Sequence, residues 1–302
     1  MKTRLFRPAL VLASTLALAS ALSAQTPKAA APKVDTPKTG APIDVPAASP
    51  ACTLKQRVGF TDIEINYSRP GLKGRVVVGN IDPYGQVWRT GANAATQIIF
   101  STPVKLNGTE IPAGTYGLFA IPGREEWTVI INKTARQWGA YKYDSKDDVL
   151  RVKVAPVALT QPVETFTIDV NDIRDDSATL DLIWADWRVP VKITVDVTAK
   201  VVAQIDAAMA ADGKKPYGEA AMFYLNHDLD LKKAAGWMDA AIAEQPNAFW
   251  LVYHKARLLA KLGDKAGAIT AARASIDLVA KNTGPEKDEY TRLNEALIAS
   301  LK

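Results

Sequence analysis

The sequence predicts a mainly antiparallel β-sandwich followed by a short α-helical repeat segment, and three observations carry that prediction. From Cys52 to about Val197 apolar residues recur with period two, interrupted by frequent turn residues. After Val197 the period becomes 3.6, with short Gly, Asn or Pro breaks. No strand–helix–strand unit intervenes, which leaves nothing to connect a parallel sheet.

Before the folded region stand two segments of different composition. Residues 1–24 carry Lys2, Arg4 and Arg7 ahead of an apolar run from Ala9 to Leu22, with Ser23 and Ala24 behind it. That order is the grammar of a secretory signal peptide cleaved near Ala24. The run is too short to span a bilayer, and no later stretch reaches the needed length. The expected compartment is therefore the periplasm or the cell exterior. Residues 25–50, rich in Pro, Ala and Lys and free of aromatics, cannot bury enough surface to offset their ordering entropy and are expected to form a disordered tether.

Within 51–197 the segment TDIEINY alternates Ile63, Ile65 and Tyr67 with Asp62, Glu64 and Asn66, the pattern of a strand with one buried and one wet face. Further strands are expected at GRVVVG, TQIIFS, GTYGLFAI, EWTVIIN, DVLRVKV, ETFTIDV, ATLDLIW and RVPVKITVDV. PVKLNGTEIP reads as a hairpin turning at Asn107-Gly108, because both residues tolerate the positive φ of a type I′ turn. The sum is about nine or ten short strands. Ser68-Arg69-Pro70-Gly71 and Asp82-Pro83-Tyr84-Gly85 read as turns, the first as type II with Gly71 at positive φ.

Residues 198–302 divide into six amphipathic helices. Ala234-Ala235 aligns with Ala268-Ile269, and Leu229-Asp230 with Gly263-Asp264, at a spacing of 34, the period of the tetratricopeptide repeat. Only about two repeats fit, so the helices at 198–211 and 285–301 are expected to cap them. Trp237, Phe249 and Trp250 read as packing residues.

Charge and composition exclude several functions. The formal net charge of +5 falls to +2 once Lys2, Arg4 and Arg7 leave with the leader, and the remaining cations are interspersed with acids, so nucleic-acid binding has no support. Cys52 is the only cysteine, which excludes an intrachain disulfide and a thiolate metal cage. The two histidines, His227 and His254, both fall in the helical region. The β-region thus lacks the base of a Ser-His-Asp or Cys-His system and the ligands of a His-based metal site. Its glycines match no phosphate-binding fingerprint, and no cofactor or metal is implied. Carboxylates alone remain for acid–base chemistry. Asp172, Asp175 and Asp176 fit turn positions better than a calcium loop.

What turn chemistry leaves over is a cluster in residues 67–96, YSRPGLKGRVVVGNIDPYGQVWRTGANAAT. Arg69, Arg75 and Arg89, flanked by Tyr84 and Trp88 and by a possible backbone nest at Asn93, are candidate walls of a site for a carboxylate, phosphate or sugar. Trp138 and Tyr141, on a loop further on, are candidates for its other wall. The alternative is that the arginines pair with acidic strand neighbours while the aromatics fill the sandwich.

The segments YSRPGLKGR, PYGQVWRTGANAAT, AGTYGLFAIPGREEWTVIINK, QWGAYKYDSKDDVLRVKV and ETFTIDVNDIRDDSATLDLIW resemble, in order and spacing, an exported bacterial family called domain of unknown function 2911. The resemblance spans about residues 50–195 and implies an exported protein, often with tetratricopeptide-like helices behind the β-domain. It carries no substrate, cofactor or catalytic residue. The expectation is a non-enzymatic binding or scaffolding protein, with a small anionic or sugar-like ligand or a protein segment at the β-domain and a protein partner at the helices. Two alternatives stand beside it: a carboxylate-dependent hydrolase acting on glycans or envelope polymers, and a purely structural β-domain that presents the repeats.

Overall fold

A computed structural model describes residues 45–302; the expected leader and most of the expected tether lie outside the described residues. Among the described residues ten strands form two antiparallel sheets, and six α-helices follow. The larger sheet holds β1 (Ala51–Val58), β2 (Thr61–Ser68), β3 (Thr96–Phe100), β6 (Gly114–Ile121), β7 (Trp127–Asn132) and β8 (Asp148–Val154) in the order β1-β2-β3-β6-β7-β8. The smaller holds β4 (Val104–Leu106), β5 (Thr109–Ile111), β9 (Val157–Asn171) and β10 (Ser177–Val195) in the order β5-β4-β10-β9.

Period-two patterning places Ile63, Ile65, Ile98, Leu118 and Val129 of one sheet in a single core with Leu106, Phe166, Ile168, Leu180 and Ile193 of the other. The run GLFAI in β6 is apolar on both sides for a different reason. Leu118 and Ala120 face the core, while Phe119 joins Ile130 and Ala95 in a small cluster of its own. That cluster is closed by Ala140 and Tyr143 from the β7–β8 loop.

The expected turns and strands were recovered with four differences. GRVVVG is not a strand: Lys73, Gly74 and Gly79 take positive φ, and only an isolated bridge, Val78 to Asp82, remains. Gly71 lacks the positive φ of a type II turn and instead bridges Thr165 of β9. The segments ATLDLIW and RVPVKITVDV are one strand, β10, which absorbs a register shift at Ala185 with φ 50°. β1, whose residues alternate without strong apolar contrast, pairs along its full length with β2. At Asn107 and Gly108, φ values of 45° and 88° match the expected hairpin turn.

The helices are α1 (Thr198–Ala210), α2 (Tyr217–Asn226), α3 (Leu231–Glu244), α4 (Phe249–Lys261), α5 (Lys265–Val279) and α6 (Glu286–Ser300). Asp230 caps α3, accepting the N–H groups of Lys232 and Lys233, and Asp264 caps α5, accepting that of Gly267. Val197, Val201 and Phe223 pack into the sandwich core, so the first helices share it.

Candidate functional site

The chain between β2 and β3 leaves the larger sheet, runs along the edge of the smaller one and returns. Residues 69–73 are held on β9: Phe166 donates its N–H to Pro70, and Leu72 donates to the Glu164 carbonyl. Trp88 then pairs with Ala120 of β6 through reciprocal backbone hydrogen bonds of 2.7 and 3.0 Å.

This path decides what each candidate side chain does. Arg69 donates from Nε to the Phe166 carbonyl at 3.0 Å and from Nη2 to Thr167 Oγ1 at 2.6 Å, so its fork fastens the crossover to β9. Arg75 folds back on its own loop, donating to the carbonyls of Leu72 and Gly71 at 2.9 and 2.8 Å. Tyr84 lies on Gly79, where an added Cβ would come within 2.3 Å of the ring, and Arg124 sits 4.8 Å from the ring centroid. Trp88 is a core residue, not the wall of a cleft. It stacks on Trp184 at 5.6 Å and meets Phe166 and Trp127 edge-on, with Nε1 donating to Gly91. Asn93 donates from Nδ2 to the Ser49 carbonyl and to Ser68 Oγ, tying the start of the folded chain to the loop.

Arg89 is different. Its Nε is buried without a hydrogen-bond partner. The next residue, Thr90, is fully buried, its Oγ1 is also unpartnered, and its φ of 54° is left-handed, a strained setting for a β-branched residue. Two adjacent orphaned polar groups are costly, about 1–3 kcal/mol each, and call for a partner. Close enough to feel the Arg89 charge is Asp82, which sequence reasoning treated only as a turn residue. Burial pushes the Asp82 carboxyl up to about 6, against the opposing pull of the Arg89 and Arg75 charges. Yet among the described residues neither Asp82 nor Arg89 forms an ion pair within 4 Å. The two groups feel each other's charge without touching.

The candidate site is therefore Arg89 and Asp82, with Thr90 next to Arg89 in the chain and Arg75 near enough to act on the Asp82 carboxyl. Thr90 carried no signal in the sequence beyond its place before Gly91. The acidic neighbours expected to consume the arginines are engaged elsewhere: Asp62 with Arg57, Glu64 with Lys55, Asp148 with Arg151 and Asp181 with Arg188.

Trp138 and Tyr141 stand on the loop between β7 and β8. Their loop runs beside the chain before β3, with Ala94 bridging Trp138 and Gly139 donating to the Asn93 carbonyl. Among the described residues, no side-chain hydrogen bond or ring contact links either aromatic to Arg89 or Asp82. Nor does any group of three or more His, Cys, Asp and Glu side chains there have the arrangement of a metal site.

A concavity of about 820 Å³ lies among the helices, lined by residues that include Lys214, Tyr217, Glu219, Glu244, Trp250 and His254. Trp250, expected in the core, opens onto this groove and is 41% exposed. His254 is pushed down to about 4, first by burial and then by the Arg257 charge.

Residues 49–193 match the model of a family described as a protein of unknown function (DUF2911). The match covers the sandwich and ends within β10, ahead of the helices. No curated protein and no solved structure matches the chain.

Proposed function

We propose that this chain is an exported, non-enzymatic binding protein of the periplasm or cell exterior, whose sandwich holds a small hydroxyl-bearing, sugar-like ligand at Arg89, Thr90 and Asp82. The observation that carries the reading is the pair of orphaned groups, Arg89 Nε and Thr90 Oγ1, with the unbridged Asp82 carboxyl within reach of the Arg89 charge. A lone anion would meet the Asp82 charge. A vicinal diol offers oxygens to Arg89 and hydroxyl hydrogens to Asp82 at once, which suits both groups. The helical part adds a protein-binding surface in this reading. Its tetratricopeptide-like character is supported by α3 and α5, which begin 34 positions apart at equivalent capping aspartates, and its groove offers Tyr217 and Trp250 to a partner segment.

The test is a thermal-shift and calorimetric screen of neutral mono- and oligosaccharides against the wild type and Arg89→Ala. One or more sugars should raise the midpoint of the wild type, and Arg89→Ala should weaken that sugar at least tenfold while folding normally. If every stabilising ligand also stabilises Arg89→Ala and Asp82→Asn equally, the site is not where binding occurs.

A further inference from the structure

The β7–β8 loop, residues 133–147, is clamped from below and bare on top. Gln137, 8% exposed, donates to the Thr134 carbonyl and accepts from the Lys142 N–H. Fully buried Asn132 donates to the Asp144 carbonyl and to Asp148 Oδ1. Tyr143 donates to Asp148 Oδ2 at 2.7 Å and packs on Phe119 with ring centroids 5.2 Å apart. These bonds fix the loop without help from the side chains of Trp138 and Tyr141, which are 66% and 83% exposed. Tyr141 lies across Gly139, where an added Cβ would come within 2.8 Å of its ring, and Trp138 precedes that glycine on the same loop.

Two carboxylates here are half-buried and bonded, Asp147 accepting the Thr134 hydroxyl and Asp148 the Arg151 guanidinium, while Asp144, which accepts the Lys146 N–H, is exposed. The loop's cations have no such partners. Lys133, Arg136, Lys142 and Lys146 are all exposed, and among the described residues none has an acidic partner within 4 Å. A hydrogen-bonded loop that exposes one Trp and one Tyr together with four cations free of acidic partners has the composition that settles at the interface of an anionic bilayer. There amphipathic rings sit at headgroup depth, and each cation gains from the surface potential.

We propose that this loop is a peripheral membrane contact, with Trp138 and Tyr141 inserted at the headgroup level of an anionic lipid surface and Lys133, Arg136, Lys142 and Lys146 facing its headgroups. Nothing in this contact depends on a ligand at Arg89.

The test is co-sedimentation of the full chain with vesicles of phosphatidylcholine alone and of phosphatidylcholine with about one-third phosphatidylglycerol, at low and high salt. The wild type is compared with Trp138→Ala/Tyr141→Ala and with Arg136→Gln/Lys142→Gln. All variants keep the same N-terminal segment, so any lipid affinity of its own cancels. Wild type should favour the anionic vesicles, with partitioning that falls with salt. The aromatic variant should lose at least tenfold, and the Gln variant about fivefold for each cation removed. Vesicles of brominated lipid should quench fluorescence in the wild type more than in Trp138→Phe, a variant that keeps the ring volume. Equal partitioning of wild type and both variants overturns the proposal. So does binding to an acidic polysaccharide with none to anionic vesicles, and so does quenching that Trp138→Phe leaves unchanged.

Discussion

At the residue scale, three arginines of one type and one neighbourhood proved to have three roles, because the backbone path decides which carbonyls are in reach. Arg69 and Arg75 are satisfied by main-chain oxygens and Thr167, partners that no side-chain pattern reveals. Asp82 escaped notice since Asp-Pro reads as turn chemistry, and burial is a property of the fold around it. Its raised carboxyl makes a signed prediction. Between pH 3.8 and about 6 the folded protein holds a proton that the unfolded chain has released, so this group's contribution to stability falls as pH rises through that window. Above it the charged carboxyl costs up to about 2 kcal/mol, allowing for its solvent side. Asp82→Asn should therefore stabilise the unliganded protein at pH 7.5 and leave it nearly unchanged at pH 3.5, as read from denaturant midpoints. His254 runs the other way, with stability lost as pH falls from 6.5 toward 4, so the two titrations partly offset in the wild type. A variant that shows the same gain at both pH values would mean that Asp82 is not desolvated.

At the element scale, legibility followed how local the cause was. All six helices and most strands could be read from periodicity, because each has an amphipathic face of regular period. GRVVVG could not, although its valines favour strands. Left-handed residues at Lys73, Gly74 and Gly79 surround it, and Val76 is left 70% exposed, so no ladder forms. β1 was overlooked for the reverse reason, since its fit comes from pairing with β2 and not from its own contrast. The spacing of 34 between helices was legible, and its caps give it an energetic meaning. Asp230→Ala removes the acceptor for the N–H groups of Lys232 and Lys233 and should cost about 1 kcal/mol, measured by helical circular dichroism during thermal unfolding. An Asp230→Asn variant, which keeps an acceptor, should recover most of that loss. If it does not, the charge and not the hydrogen bond caps α3.

At the scale of the whole molecule, the change of period near Val197 marks a change of element type but no break in the core. Val197 and Val201 of the α1 region and Phe223 of α2 pack on the sandwich. The His227 ring places Nε2 2.8 Å from Asp175 Oδ2 in the β9–β10 turn. Gly59, in the β1–β2 turn, has no room for a Cβ between Val197 and the Asp175 carbonyl. Three separate parts of the sandwich thus converge on the first two helices, and a sequence that reads as two modules should unfold in its sandwich and α2 as one cooperative unit. Phe223→Ala tests this, because Phe223 belongs to α2 yet packs against both the sandwich core and the α1–α3 cluster. Its half-buried ring should cost about 2–3 kcal/mol on truncation. Hydrogen exchange should then show equal loss of protection at the core amides of Leu180 and Leu182 in β10 and at those of Leu225 in α2. Leu297→Ala, which weakens the distant α5–α6 contact, should spare β10 by comparison. If Phe223→Ala loosens α2 while β10 keeps its wild-type protection, the two parts unfold independently, and the continuous core contributes nothing to cooperativity.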